Sequence, residues 1–158
     1  MKTTKINHVA VWILVLVNQV IGAVWYSPFF FAEKWVELTG KTMSDFSNAG
    51  VAPYLFSIAA SIITTYTIAY LFKKLSVQNF ATGMYYTFIF WLGFLFVELA
   101  TFNSFELRPL GLTIIDALKS LVTFLVSGFV LGIWKKHVFK EAQDKNKNSD
   151  LTKKGIGK

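Results

Sequence analysis

The stretch Leu110–Trp134 reads LGLTIIDALKSLVTFLVSGFVLGIW, and its only charges are Asp116 and Lys119. A helix of this length, rising about 1.5 Å per residue, crosses roughly 30 Å of hydrocarbon. Outward from it lie three more runs of the same kind, Ile6–Tyr26, Pro53–Phe72 and Phe80–Phe102, joined by short charged segments. A buried helix of a soluble domain would be shorter and would show a charged face. Barrel strands would be about ten residues long with strict alternation. Backbone groups in hydrocarbon must be satisfied within the segment, so each run is expected to be α-helical. The expected fold is an all-α membrane protein, four transmembrane helices in a bundle over residues 1–134, with a basic cytoplasmic tail over 135–158.

Composition agrees with lipid as the solvent. Of 158 residues, 54% are hydrophobic, 17% aromatic and 16% charged, and the mean hydropathy is +0.48. That is more apolar surface than a single core of this size can hide. The absence of Cys excludes a disulfide-stapled module, a thiolate metal centre and a cysteine nucleophile. Lys2 and Lys5 resemble the start of a signal peptide. The apolar run behind them is too long, however, and no small-residue cleavage site precedes Ser27-Pro28, so it reads as a retained span. Pro53 opens the second span, where its missing N–H costs little, and Pro28 and Pro109 fall in loops. The tail from Lys135 lacks apolar periodicity and is expected to be disordered. Its lysines, with a pI near 9.6, lack interleaved aromatics and a folded basic face, so no nucleic-acid partner is expected. The expected partner is the lipid bilayer.

The distribution of Lys and Arg sets the expected orientation. Nine (Lys2, Lys5, Lys73, Lys74, Lys135, Lys136, Lys140, Lys145 and Lys147) flank one side, against three (Lys34, Lys41 and Arg108) on the other. Both termini of a multi-pass protein of the cell membrane are therefore expected in the cytoplasm. The longest outer connection runs from Ser27 to Ala52. Within it Phe31, Trp35 and Leu38 recur at i, i+4 and i+7, which predicts a short amphipathic helix lying in the interface. It reads as an anchoring elbow or as a lid over a ligand site. Gly40 is the expected stop, and Thr42 or Ser44 the cap of the next helix.

Polar residues inside the spans are where chemistry can reside, because each must offset its cost in lipid. Asn7, Asn18, Gly22 and Trp25 share one stripe of the first helix, and a buried amide such as Asn18 ordinarily bonds a neighbouring helix. His8, at the inner boundary, has no second His or carboxylate at ligand spacing, so no metal is expected. Ser57, Ser61 and Thr64 or Thr65 read as close packing of the second helix. Thr87, Trp91 and Glu98 share a face of the third helix, and Asp116, Ser120, Thr123 and Ser127 line the fourth. Glu98, Asp116 and Lys119 are expected at similar depth, linked by a loop holding Glu106 and Arg108. This cluster reads either as a salt-bridge set locking two helices or as a polar cavity for a cation, proton or small polar ligand. Gly128 and Gly132 form a GxxxG that permits close contact within the bundle or between subunits. No nucleophile elbow, HExxH, phosphate loop or dinucleotide turn is present, so neither an enzyme nor a cofactor is expected.

The run Asn7-His8, the segment Gly22-Ala23-Val24-Trp25-Tyr26-Ser27-Pro28, and then Phe31, Trp35 and Gly40 resemble the opening of a bacterial integral membrane family catalogued as domain of unknown function 1761. Trp91-Leu92-Gly93-Phe94, Phe105-Glu106-Leu107-Arg108-Pro109, Ile115-Asp116, Gly128 and Trp134 resemble its second half. The resemblance implies a four-span membrane protein without an assigned activity. It lends weight to Asn7, His8, Trp25, Tyr26, Glu106, Arg108 and Asp116, and leaves Glu98 and Lys119 outside the pattern. The expected function is binding or passing a small ligand or ion through a polar cluster between helices three and four, in a homo-oligomer. The alternative is an accessory or structural membrane protein whose polar residues only join helices. The candidate binding residues are Asp116, Glu98, Lys119, Asn18, Glu106, Arg108, Trp25 and Tyr26.

Overall fold

Four helices long and apolar enough to cross a membrane, His8–Trp25, Ala52–Lys74, Phe80–Phe105 and Leu110–Ile133, account for most of the chain in a computed structural model that describes residues 3–134 and 136–138. The first, second and fourth are α1 (His8–Trp25), α4 (Ala52–Lys74) and α7 (Leu110–Ile133). The loop after α1 contains α2 (Ala32–Thr39) and α3 (Met43–Asn48). The third span comprises α5 (Phe80–Phe90), a π-helical stretch Trp91–Phe96, and α6 (Val97–Phe105). These spans make the chain a multi-pass membrane protein. Leu16 is 67% exposed and Phe56 77%, which only an apolar surrounding tolerates at such density.

Local sequence explains the helix ends. Asn7 caps α1 by accepting from the Ala10 N–H, and Asn79 caps α5 by accepting from the Thr82 N–H. Pro53 occupies the first turn of α4, where no backbone donor is needed. Gly40 ends α2 with φ +66°, a left-handed conformation that glycine adopts without a Cβ penalty. Thr42 begins α3, and Asp45 accepts from both its N–H and its hydroxyl.

The spans run up and down. α1 packs on α4 and on α7, and α7 packs most extensively on α5. The α5–α7 seam is built on small residues. A Cβ at Gly83 would lie 2.2 Å from the Gly128 carbonyl oxygen, and one at Gly132 would lie 2.6 Å from that of Asn79. The GxxxG is thus spent inside the bundle. The apolar core, with Val11 and Leu14 of α1, Ile68 and Phe72 of α4, and Leu131 of α7, occupies the half of the bundle nearer the termini. There β1 (Thr3–Lys5) pairs antiparallel with β2 (Lys136–Val138), Thr4 opposite His137. The expected disordered tail therefore has its first residues in a two-strand ribbon, and the tail beyond 138 lies outside the described residues. α4 and the third span leave a lateral groove of about 860 Å³ between them.

Candidate functional site

At the end of the bundle away from the termini, α1, α2 and α7 converge on Asp116. Asp116 lies six residues into α7, about 9 Å along the helix from Leu110. The Tyr26 hydroxyl donates to its Oδ1 at 2.7 Å and the Trp35 indole N–H donates to the same oxygen at 2.9 Å. Trp25 donates its indole N–H to the Ile115 carbonyl at 3.1 Å. The rings pack in two groups. Trp25 lies 4.9 Å from Phe31, Tyr26 lies 5.1 Å from Trp35, and Trp35 lies 5.0 Å from Phe46 between centroids.

These contacts orient α2. Its apolar stripe turns toward the bundle rather than toward lipid, with Trp35 on Asp116 and Leu38 against Gly111. The polar face carries the Lys34–Glu37 pair at 2.9 Å. The anchoring-elbow reading is corrected for Phe31, Trp35 and Leu38, all half-buried in the protein. Phe29 and Phe30, in the turn before α2, are the exposed aromatics. The reason is energetic. A carboxylate at this depth requires donors, and an indole N–H near a charged acceptor is worth more there than in an interface where water competes.

Lys119, one turn beyond Asp116, lays its side chain along α1 at Gly22, where a Cβ would meet Cε at 3.6 Å. Lys119 and Asp116 are each half-buried. Among the described residues the Lys119 ammonium makes no ion pair, including with Asp116. Asp116 Oδ2 likewise receives no hydrogen bond, since both donors take Oδ1.

The other expected site residues disperse. Glu98 is not beside Asp116; it faces the lateral groove between α4 and the third span. The cause is the π-helical stretch Trp91–Phe96. Its wider i→i+5 turn takes up about one extra residue, which rotates everything after it. The face toward α7 therefore carries Thr87, Trp91 and Asn103. Trp91 donates to Ser120 Oγ at 2.9 Å, and buried Asn103 donates to Thr113 Oγ1 at 2.9 Å. Glu106 and Arg108 pair with each other at the exposed loop instead of reaching Asp116, and Arg108 lies over the Phe102 ring. Asn18 donates to Ser61 Oγ at 3.4 Å, joining α1 to α4, and its buried Oδ1 has no partner among the described residues. The site thus lies between the first and fourth spans beneath α2, not between spans three and four. At the opposite end, His8 Nδ1 lies 3.1 Å from the Tyr66 hydroxyl, and the described residues contain no group of three or more His, Cys, Asp or Glu able to hold a metal.

Trp35 is the contributor that the sequence assigned to another task. Its helical spacing with Phe31 and Leu38 shows an apolar stripe, and nothing in that spacing tells lipid from protein as the surface it covers. The two halves of the sequence pattern meet in space. Trp25 and Tyr26 bond Ile115 and Asp116, and Asn7 Nδ2 donates to the Trp134 carbonyl at 3.4 Å. Neither the curated proteins nor the solved structures yield a match. Residues 9–132 do match the family described as protein of unknown function (DUF1761), and with most of its length inside that match the chain belongs to this family.

Proposed function

We propose that this protein binds a small polar ligand or ion at Asp116 and Lys119, between α1 and α7, with α2 as the lid. The observation that carries the reading is an opposite-charge pair, Asp116 and Lys119, one turn apart and half-buried, that does not close on itself. A charge at the centre of a span costs about 2.5–3.5 kcal/mol. Two hydrogen bonds to a charged acceptor offset that for Asp116 at about 1.5–3 kcal/mol each. Among the described residues Lys119 has the charge of Asp116 nearby but no hydrogen bond or ion pair, so a ligand that bridges its ammonium to Asp116 Oδ2 would supply one. The rest of the α7 stripe supports binding over passage. Ser120 accepts from Trp91 and donates to Ala117, Thr123 bonds back to the Lys119 carbonyl, and Ser127 is buried in the α5–α7 seam.

The accessory reading is favoured by a different observation: both donors to Asp116 come from the chain itself and latch α2 to the bundle. One experiment separates the two. Native protein and Asp116→Asn are purified in mild detergent, and co-purifying small molecules are identified by mass spectrometry alongside the melting temperature. The amide keeps an acceptor for Tyr26 and Trp35, so the fold survives. A molecule held by the native protein and lost from Asp116→Asn is the expected result. The same small-molecule inventory in both proteins would leave the latch as the function of Asp116.

A further inference from the structure

Glu98 presents a separate problem. It stands seven residues before the end of α6, about 10 Å along the helix from Phe105. It lines the lateral groove, and among the described residues it makes no hydrogen bond or ion pair. The groove walls are Ile63, Thr64 and Thr67 of α4 and Phe94 and Phe102 of the third span, over a floor of Phe124 from α7. Its volume, about 860 Å³, suits a drug-sized or single-chain amphiphile. Phe94 sits one helical turn before Glu98 and lines the same groove, whereas Phe102, one turn after it, already has the Arg108 guanidinium over its ring.

A carboxylate beside an aromatic residue in an apolar slot is the chemistry that selects a weakly hydrated organic cation. The carboxylate supplies charge, and an aromatic ring can add cation–π attraction that strengthens as water is excluded. An acyl chain alone would fill the groove and leave Glu98 unpaired. A helix of a second copy would bring no suitable cation: inside the described spans the basic residues are Lys119, laid against α1, and Lys73 and Lys74 at the far end of α4. We propose that the groove between α4 and the third span binds an amphiphilic organic cation, with Glu98 as counter-ion and Phe94 as its aromatic wall. The head group lies at Glu98, and the apolar remainder runs along Ile63 and Phe124. Entry is sideways from the lipid, because the groove opens between two spans and not at either surface. This groove shares no residue with the Asp116 site and stands independently of it.

The test uses the full chain in lipid nanodiscs and radiolabelled tetraphenylphosphonium, a permanently charged lipophilic cation. Saturable binding to the native protein is expected. Glu98→Gln should weaken it at least tenfold. Thr67→Trp, which fills the groove from α4 and leaves Glu98 in place, should block it. Asp116→Asn should leave it unchanged. Among the described residues Glu98 has no partner, so Glu98→Gln should melt like the native protein; if it does not, Thr67→Trp decides. The proposal is overturned by absence of saturable binding to the native protein, by undiminished binding to Glu98→Gln or Thr67→Trp, or by competition from uncharged triphenylphosphine as strong as that from the cation.

Discussion

Trp35 of the short helix α2 donates its indole N–H to Asp116 of the fourth span at 2.9 Å, joining residues 81 positions apart in the chain. Tyr26 completes the arrangement from the end of α1 at 2.7 Å. A helix that would otherwise lie free in the membrane interface is thereby fixed over the one acidic residue of α7.

The latch gives the first prediction. Trp35→Phe retains ring contact with Tyr26 and Phe46 and removes the donor. It should cost about 1.5–3 kcal/mol, the range for a hydrogen bond to a charged group, read as a lower melting temperature in the same detergent. Phe30→Ala, at a residue exposed beside α2, should leave the melting temperature nearly unchanged. Equal effects from the two would show that Trp35 does not hold α2 down.

The α5–α7 seam gives the second. A Cβ at Gly128 would lie 2.2 Å from Thr87 Oγ1 and 2.7 Å from the Gly83 carbonyl oxygen, so Gly128→Ala must push the helices apart. Overpacking of this kind costs about 1–3 kcal/mol. Gly93→Ala meets nothing within 4 Å and should be tolerated. Chemical denaturation of both variants checks the contrast, and a neutral Gly128→Ala would contradict the seam.

Orientation gives the third. An even number of spans and the β1–β2 pairing place Thr3 and Val138 at the same end of the bundle, and the lysine asymmetry predicts that this end is cytoplasmic. The chain has no native Cys, so single cysteines report cleanly. Cys at Ser44 should label in intact cells, whereas Cys at Ser149 should label only after permeabilisation. The reverse pattern would invert the topology.

Asp45 gives the fourth. The Thr42 N–H and then the Thr42 hydroxyl hold its carboxyl below the ordinary carboxylate range, with the charge of Lys41 as the weakest contribution. A depressed folded pKa stabilises the folded loop at pH above the unfolded value, and this is lost as pH falls through the folded value. The protection factor of the Thr42 amide, its exchange measured against the unfolded chain at the same pH, should therefore fall on acidification below the ordinary carboxylate range. Asp45→Asn should already show low protection at neutral pH and change little with acid. A Thr42 amide indifferent to both changes would rule out the cap.

Much of the third span could be read from residue spacing, and its final turns could not. Thr87 and Trp91 face α7 as a 3.6-residue period requires. Seven residues later the same period puts Glu98 on that face, but the chain puts Asn103 there. The six residues Trp91–Phe96 carry no proline, and Gly93 has open space around it, so nothing local announces the wider turn. With it, Trp91 reaches Ser120 and Asn103 reaches Thr113 on the same side, whereas a straight α-helix would turn these two residues about 120° apart.

The amino-acid sequence alone determined the four spans and the presence of a short helix after α1, because each depends on properties that add along the chain: length against hydrocarbon thickness, and backbone pairing without water. It left open whether Gly128 and Gly132 pack within the bundle or between subunits, and packing placed them on α5. Which polar residues meet was decided only by tertiary structure. Asp116 gains Trp35 and Tyr26 and not Glu98, Glu106 or Arg108, because a buried carboxylate takes whichever donors packing brings within 3 Å. That choice depends on helix rotation and on the docking of α2, neither of which is encoded in the spacing of any one segment.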